Sequence, residues 1–265
     1  MQKVHEGLED VKVVTSSICF IDGKKGILKY RGYDINDLAE NATFEEAIYL
    51  LWHNNLPNKK ELESFKKGLY RNMKLSKELK QLIISFSPSI NPLLALCTCV
   101  SFIAANDKDT DNNSNEINKK RGLSIMAKMG TLVAAIERHA QGKISIEPKK
   151  DLSYAANFLY MLKGEMPSKH DEKIFDVCLI LTAEHDLNAS TFAARVAVST
   201  WSDLYSAIVA AIATLKGPLH GGASIKSIEN FENLANKIKG EKFCDEECIK
   251  IVDEYVMGML CSTNA

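Results

Sequence analysis

The chain has 265 residues, with 33 Lys and Arg against 34 Asp and Glu and a formal net charge of −1. That balance argues against nucleic acid or an anionic membrane as partner, because both select a basic excess. Hydrophobic residues make up 46%, enough for a sizeable core, and 14 glycines with 6 prolines suit helices joined by compact turns.

Strand signals are confined to the N-terminal stretch. Val11-Lys12-Val13 is short and alternating. Ile18-Cys19-Phe20-Ile21 and Ile27-Leu28-Lys29-Tyr30 flank Asp22-Gly23-Lys24-Lys25-Gly26, which predicts a hairpin with a glycine-containing loop.

Helical patterns follow. Thr43-Phe44-Glu45-Glu46 is a capping box, and Phe44, Ala47, Ile48 and Leu51 continue it at helical spacing until Leu56-Pro57. Glu45 and Glu46 read as first-turn helix acids rather than a catalytic pair. Leu62, Phe65 and Leu69 mark a second helix. Ser76 opens a third, with Leu79, Leu82, Ile83 and Phe86 on one face. Asn91-Pro92 caps a fourth.

The run from Leu93 to Ala105 is too short to span a bilayer and reads as a buried helix. Asn106 to Asn118 is Asn/Asp-rich and aperiodic, which predicts a solvated loop without function. Asp151 opens a helix through Leu162 that Gly164 and Pro167 end. Further helical patterns cover 171–187, 189–200, 202–216, 223–239 and 245–260. Gly217-Pro218 is the expected boundary between a domain of residues 1–216 and a second unit of residues 217–265.

The seven cysteines, Cys19, Cys97, Cys99, Cys178, Cys244, Cys248 and Cys261, are scattered, odd in number and free of C-x-x-C pairs. Cys244 and Cys248 stand one helical turn apart, as two metal ligands would. No second ligand pair is near, so ordinary thiols in a reducing cytoplasm are expected. The N-terminus has no apolar h-region, so secretion is not expected.

Two histidines, 35 residues apart, carry the chemistry. His220 lies in Lys216-Gly217-Pro218-Leu219-His220-Gly221-Gly222-Ala223, between helical patterns. Near helix N–H groups the imidazolium is disfavoured, and a neutral ring can donate to a carbonyl that is becoming an enolate. Gly221 and Gly222 would let a ligand approach backbone donors. A helix–helix turn whose histidine merely packs explains the same residues.

His185, in Glu184-His185-Asp186-Leu187-Asn188, follows an apolar segment. Asn188 would share its face if the helix persists, and imidazole plus amide could bind a carboxylate or hydroxyl. A structural histidine is the competing reading. No P-loop, dinucleotide fingerprint, H-E-x-x-H or G-x-S-x-G occurs. His185-Asp186 with His139, His170 and Asp203 raises a metal-dependent phosphohydrolase, without a convincing ligand arrangement.

At these residues the chain resembles the citrate synthase family, 2-methylcitrate synthases included. Ser16 through Gly23, Gly26 through Tyr33 and Phe44 through Leu51 resemble its N-terminal block. Asn157-Phe158-Leu159-Tyr160-Met161 resembles an interior block. Leu179 to Arg195 resembles the segment carrying the oxaloacetate-binding histidine, and Ala207 to Ala223 the segment carrying the histidine that polarises the acetyl thioester. The resemblance implies a mainly α fold: a large helical domain with a short N-terminal β-hairpin, and a small domain closing over the substrates.

It implies an acyltransferase condensing acetyl-CoA with oxaloacetate to citrate and CoA. The CoA thioester is then substrate, and no cofactor is expected. His185 would bind oxaloacetate, His220 would stabilise the acetyl-CoA enol, and Asn188 would be a substrate contact. The family's homodimer is implied too, with helices around 92–105, 123–140 and 201–215 as candidate faces. Buried packing within the domain explains those small-residue helices equally well.

The chain departs from the family pattern at Thr182 and Glu184-His185-Asp186, where a histidine and then Asp-His-Glu are common, and at Gly130, where proline is usual. The family's Gly-His-Arg and Asp-Pro-Arg blocks and its catalytic aspartate do not occur. The expectation is therefore a chain lacking the C-terminal part of the family, with a truncated small domain and little or no activity alone. The alternative is a non-catalytic paralogue or subunit that associates with a full-length citrate synthase.

Overall fold

The computed structural model describes residues 13–222. The expected helices at 223–239 and 245–260, and residues Val11 and Lys12, lie outside the described residues. The chain divides into two compact units, Met1–Thr214 and Leu215–Ala265.

The first unit begins with a three-stranded antiparallel sheet of β1 (Cys19–Asp22), β2 (Ile27–Tyr30) and β3 (Tyr33–Asp34). Cys19 pairs with Tyr30 and Asp22 with Ile27, and Gly26 closes the turn with φ 63°. Val13 belongs to no strand. β3 has no alternating pattern of its own. It forms because Arg31 (φ 50°) and Gly32 (φ 90°) turn the chain back on β2.

The left-handed backbone at Arg31 is unusual for a residue other than glycine. Its guanidinium is held at both ends. Nε and Nη2 donate to the Leu51 carbonyl at 3.2 and 2.8 Å, and Nη1 donates to the Ser17 carbonyl and hydroxyl at 3.2 and 3.0 Å. These bonds satisfy a carbonyl at the end of a helix that the ladder leaves open.

Ten helices follow among the described residues. α1 (Ile35–Asn41) escaped the sequence pattern because it is one short piece, capped by Asp34 on the Asn36 N–H and burying Ile35 and Leu38. α2 (Phe44–His53) has the expected capping box: Glu46 accepts the Thr43 N–H at 2.8 Å and Thr43 accepts the Glu46 N–H at 3.4 Å. It ends at a left-handed Asn54 (φ 69°), before the proline is reached. α3 (Lys59–Met73), α4 (Lys77–Ser85) and α5 (Pro92–Ala105) are capped by Asn58, Ser76 and Asn91.

α6 (Asn115–Ala140) packs against α3, α4, α5 and α7 (Tyr154–Lys163). Ala127 and Ala134 face one apolar core, with Tyr30, Leu50 and Met161. Ile125, Leu132, Ala135 and Ile136 face a second, with Leu79, Cys99, Val100 and Ile212. No described helix is long and apolar enough to cross a membrane.

α6 starts well before the periodic residues that announce it, so the end of the predicted 106–118 loop, from Asn115, is helix. The remainder is no idle solvated loop. It wraps Arg121, which is only 4% exposed. Arg121 Nε donates to Asp107 at 2.7 Å, Nη1 to the Asn112 carbonyl at 2.6 Å, and Nη2 to the Asp109 carbonyl. Tyr205 donates its hydroxyl to the same Asp107 carboxylate at 3.0 Å. A buried guanidinium needs such partners, so the polar composition of this loop is a coordination shell.

α7 starts at Tyr154, with Ser153 as its cap, three residues later than expected from Asp151. Its first turn is tied to α2, where Glu45 accepts the Tyr154 N–H at 3.0 Å, and α2 is tied in turn to α8 (Lys169–Leu181), where Asp176 accepts the Phe44 N–H at 3.2 Å. Burial pushes the Asp176 carboxyl above its ordinary range, against the pull of that N–H.

The Tyr154 hydroxyl accepts the Gly130 N–H at 3.1 Å and donates to the Met126 carbonyl at 3.0 Å, the i and i−4 groups that a helix ladder joins. Proline at 130 would have no N–H to give. A Cβ there would come within 3.1 Å of the Tyr154 hydroxyl, so glycine makes room for the ring rather than loosening the helix.

α9 (Ala189–Ser199) and α10 (Leu204–Leu215) match the expected 189–200 and 202–216 segments closely. The Ser190 hydroxyl donates to the Ala211 carbonyl at 3.0 Å and joins the pair.

Two outcomes are expected. Alanine at an interior helical glycine normally stabilises by about 1 kcal/mol. Gly130→Ala should fall short of that gain in the unaltered chain and recover roughly 1 kcal/mol of it in a Tyr154→Phe background, measured by urea unfolding in a double-mutant cycle. The second concerns acid. The Arg121 guanidinium beside Asp107 holds its carboxyl below the usual range. This contribution is complete above the unfolded-state pKa of about 3.9 and is lost as pH falls through the lower folded value. Asp107→Asn should cost about 1–3 kcal/mol at pH 7 and flatten the acid limb of a stability–pH curve.

Candidate active site

α8 stops at Leu181, six residues short of the expected end at residue 187. Thr182 caps it, and its hydroxyl donates to the Cys178 carbonyl at 2.8 Å. His185 therefore lies in a turn between α8 and α9 and is exposed. Asp186, with φ 58°, reverses the chain.

The Glu184 carboxylate clamps that turn, accepting the His185 N–H at 3.0 Å and the Asp186 N–H at 2.9 Å. Burial pushes the thiol of Cys19 up, and the charge of Glu184 adds to this, against the Asp186 backbone N–H that lowers it. Tyr30, from β2, reaches the same turn. Its hydroxyl donates to the Ile180 carbonyl at 3.0 Å, lies 3.3 Å from the Leu181 carbonyl, and accepts the Glu184 N–H at 3.2 Å.

Asn188 does not share a helical face with His185, because the helix does not persist. It is the N-cap of α9, and its side-chain oxygen accepts the Thr191 N–H at 2.9 Å. One amide oxygen is thus engaged in holding α9.

The second unit, within the described residues, carries the other histidine. The His220 N–H donates to the Gly217 carbonyl at 3.0 Å and the Gly222 N–H to the same oxygen at 3.4 Å. His220 is half-buried, while Leu219 is fully exposed. Gly221 is required by the chain itself, since a Cβ there would collide with the Leu215 carbonyl oxygen. Gly222 has no such demand, for its Cβ would meet Pro218 at an ordinary 3.7 Å. Gly221 and Gly222 are helical in backbone, as expected for a helix opening after His220.

Two of the residues that could have served a metal, His139 and Asp203, are otherwise engaged. His139 Nε2 pairs with the Phe86 carbonyl at 2.9 Å, and Asp203 accepts the Ser206 N–H at 2.9 Å and its hydroxyl at 2.6 Å. Among the described residues no three His, Cys, Asp or Glu side chains are grouped to hold a metal ion. Tyr30 and Glu184 hold the turn that carries His185, and sequence pattern missed both. A tyrosine closing a strand looks like core, and its partners lie about 150 residues away.

Known proteins agree with this architecture. A sequence profile described as "Citrate synthase, C-terminal domain" matches residues 7–259. "Citrate synthase 2" of Bacillus subtilis is 48% identical over 219 residues, covering 82% of this chain and 58% of its own length. The "Citrate/2-methylcitrate synthase" of the same organism is 38% identical over 242 residues, covering 88% and 65%.

Among solved structures, the ternary complex of carboxymethyl coenzyme A and oxaloacetate with citrate synthase from the thermophilic archaeon Thermoplasma acidophilum superposes with a TM-score of 0.83. It has 33% identity and covers 88% of this chain and 61% of that one. The chain thus spans 58–65% of the length of these relatives. With a profile match over almost its whole length and a shared helical fold, this chain belongs to the citrate synthase family.

Proposed function

We propose that this chain binds oxaloacetate and an acyl-CoA thioester, and that its two histidine turns are the hydrogen-bonding half of a citrate- or methylcitrate-forming site. The observation that carries the reading is the match over residues 7–259, which includes both turns, to a family with a member solved holding oxaloacetate and a coenzyme A derivative. His185, exposed on its clamped turn, donates to a carbonyl or carboxylate of oxaloacetate. His220 donates to the thioester carbonyl oxygen as the methyl proton leaves and negative charge gathers there. Such a donor is worth roughly 10²–10³ in rate. Asn188 keeps its amide nitrogen for substrate while its oxygen caps α9.

A thioester methyl is a weak acid, and its proton leaves only to a positioned base. The two described turns assign none, since the Glu184 carboxylate is engaged by backbone N–H groups. General-base assistance is worth roughly 10²–10⁴. The reading is therefore completed by a carboxylate from elsewhere, and the chain by itself turns over slowly or not at all. Association with a full-length relative is the competing role. It would appear as a defined heterodimer with altered partner kinetics.

Self-association belongs to the same reading and has its own support. α9 is built almost wholly of Ala, Val, Ser, Thr and Phe, yet none of its residues is buried. Val196 is 52% exposed and Trp201, just beyond the helix, 85%. Apolar helix faces of that kind usually meet a partner. Of the expected faces on 92–105, 123–140 and 201–215, the last adjoins this surface through α10, which Ser190 joins to α9.

Calorimetric titration with oxaloacetate should show saturable binding that His185→Ala weakens about 10- to 100-fold. Thiol release from acetyl-CoA plus oxaloacetate should stay near background. Brisk citrate formation by the purified chain would refute the need for an external base. Sedimentation should show a dimer that Val196→Asp shifts to monomer; an unchanged species would exclude α9 from the interface.

A further inference from the structure

We infer that Tyr30 is a positioning residue for the His185 imidazole, acting through its hydroxyl on the turn that carries it. The inference rests on the reading of His185 as the oxaloacetate ligand and goes beyond it in naming what aims that ligand. His185 is exposed, and its turn contains a left-handed Asp186, so the direction of its side chain is set by the backbone of residues 182–188. That backbone is fastened at three places. Thr182 caps α8, Asn188 caps α9, and between them the Tyr30 hydroxyl takes the Glu184 N–H.

The same hydroxyl donates to the Ile180 carbonyl at 3.0 Å, 3.3 Å from that of Leu181, at the end of α8. The Ile180 carbonyl also takes the Ala183 N–H at 3.2 Å, so this one hydroxyl joins an already closed helix end to the residue preceding His185. Glu184, so held, turns its carboxylate onto the His185 and Asp186 N–H groups. The chain of bonds is continuous from β2 to the His185 backbone.

The support is rigid. Tyr30 is 0% exposed and lies in the same apolar core as Leu50, Met161 and Ile180. Its neighbour Arg31 fastens the hairpin to the end of α2 at Leu51. Its cross-strand partner Cys19 stands beside Glu184 and the Asp186 N–H. Burial raises the Tyr30 hydroxyl pKa, so the proton it donates stays in place at neutral pH. A ring without the hydroxyl would still fill the core, yet would leave the Glu184 N–H without this acceptor. This separates positioning from packing.

The test compares the full chain with Tyr30→Phe and with Tyr154→Phe, a control that removes a buried hydroxyl from the α6–α7 contact instead. Unfolding midpoint, the titration of the His185 ring by NMR, and oxaloacetate affinity are measured on each. Tyr30→Phe is expected to weaken oxaloacetate binding about tenfold and to move the His185 ring signals. Tyr154→Phe should lower the unfolding midpoint and leave both unchanged.

Equal affinity and identical ring signals in Tyr30→Phe would overturn the inference, as would an equal loss in Tyr154→Phe. If the unaltered chain takes up no oxaloacetate, the condensing reading fails, and the ring signals alone decide the role of Tyr30. If Tyr30→Phe does not fold, hydrogen exchange in the unaltered chain decides. A Glu184 amide protected like the last turn of α8 supports the bond, and one exchanging like a free loop amide refutes it.

Discussion

A helix buried on opposite faces must be narrow where its neighbours close in, and α6 meets that condition. Two cores share it, one through Ala127 and Ala134 and the other through Ile125, Leu132, Ala135 and Ile136. Gly130 lies between them, and the space its missing side chain leaves is taken by Tyr154. Close packing of this sort leaves little slack, so the positions of α3, α5 and α7 follow from the cross-section of one helix. The hydroxyl of Tyr154 then reads both the N–H and the carbonyl of adjacent turns, which sets the register of α7 on α6.

The polar interior follows a second rule, that a buried charge must be given partners. Arg121 is enclosed by a loop whose carbonyls and carboxylate face inward, and Tyr205 joins the loop to the start of α10. Glu45 and Asp176 serve helix N-termini on neighbouring elements rather than their own. Each of these groups links segments far apart in sequence. Polar residues here specify which element meets which, and the apolar cores supply most of the driving force.

The His185 turn shows how the two rules combine at an exposed surface. The side chain is not buried, so its direction depends on backbone held from below. Tyr30 and Glu184 hold it, and the hairpin that carries Tyr30 is itself fastened by Arg31. The short sheet is thereby more than an edge ornament on a helical protein. It is the strut beneath the turn. The His220 turn has a different economy: Gly221 allows the chain to close on Leu215, and Gly217 accepts two N–H groups.

Local chemistry was legible from the residues alone. The hairpin, the capping boxes at Thr43 and the caps at Ser76 and Asn91 depend on neighbours within a few positions, and the structure has them where the pattern places them. The helical scaffold and the family were readable for the same reason, through ordered blocks such as Asn157 to Met161 and the segments around the two histidines. What pattern misjudged were elements whose limits are set from a distance. α8 ends at Leu181 with the Tyr30 hydroxyl donating to the Ile180 carbonyl, and α6 begins early with Arg121 enclosed by the preceding loop. Asn188 became a cap once the helix before it had stopped. The sequence by itself determined most of the helices, their local caps and the side-chain chemistry present at His185 and His220. Tertiary structure decided where α8 stops and what holds the His185 turn, because those depend on single hydrogen bonds between residues about 150 positions apart, which no local window contains.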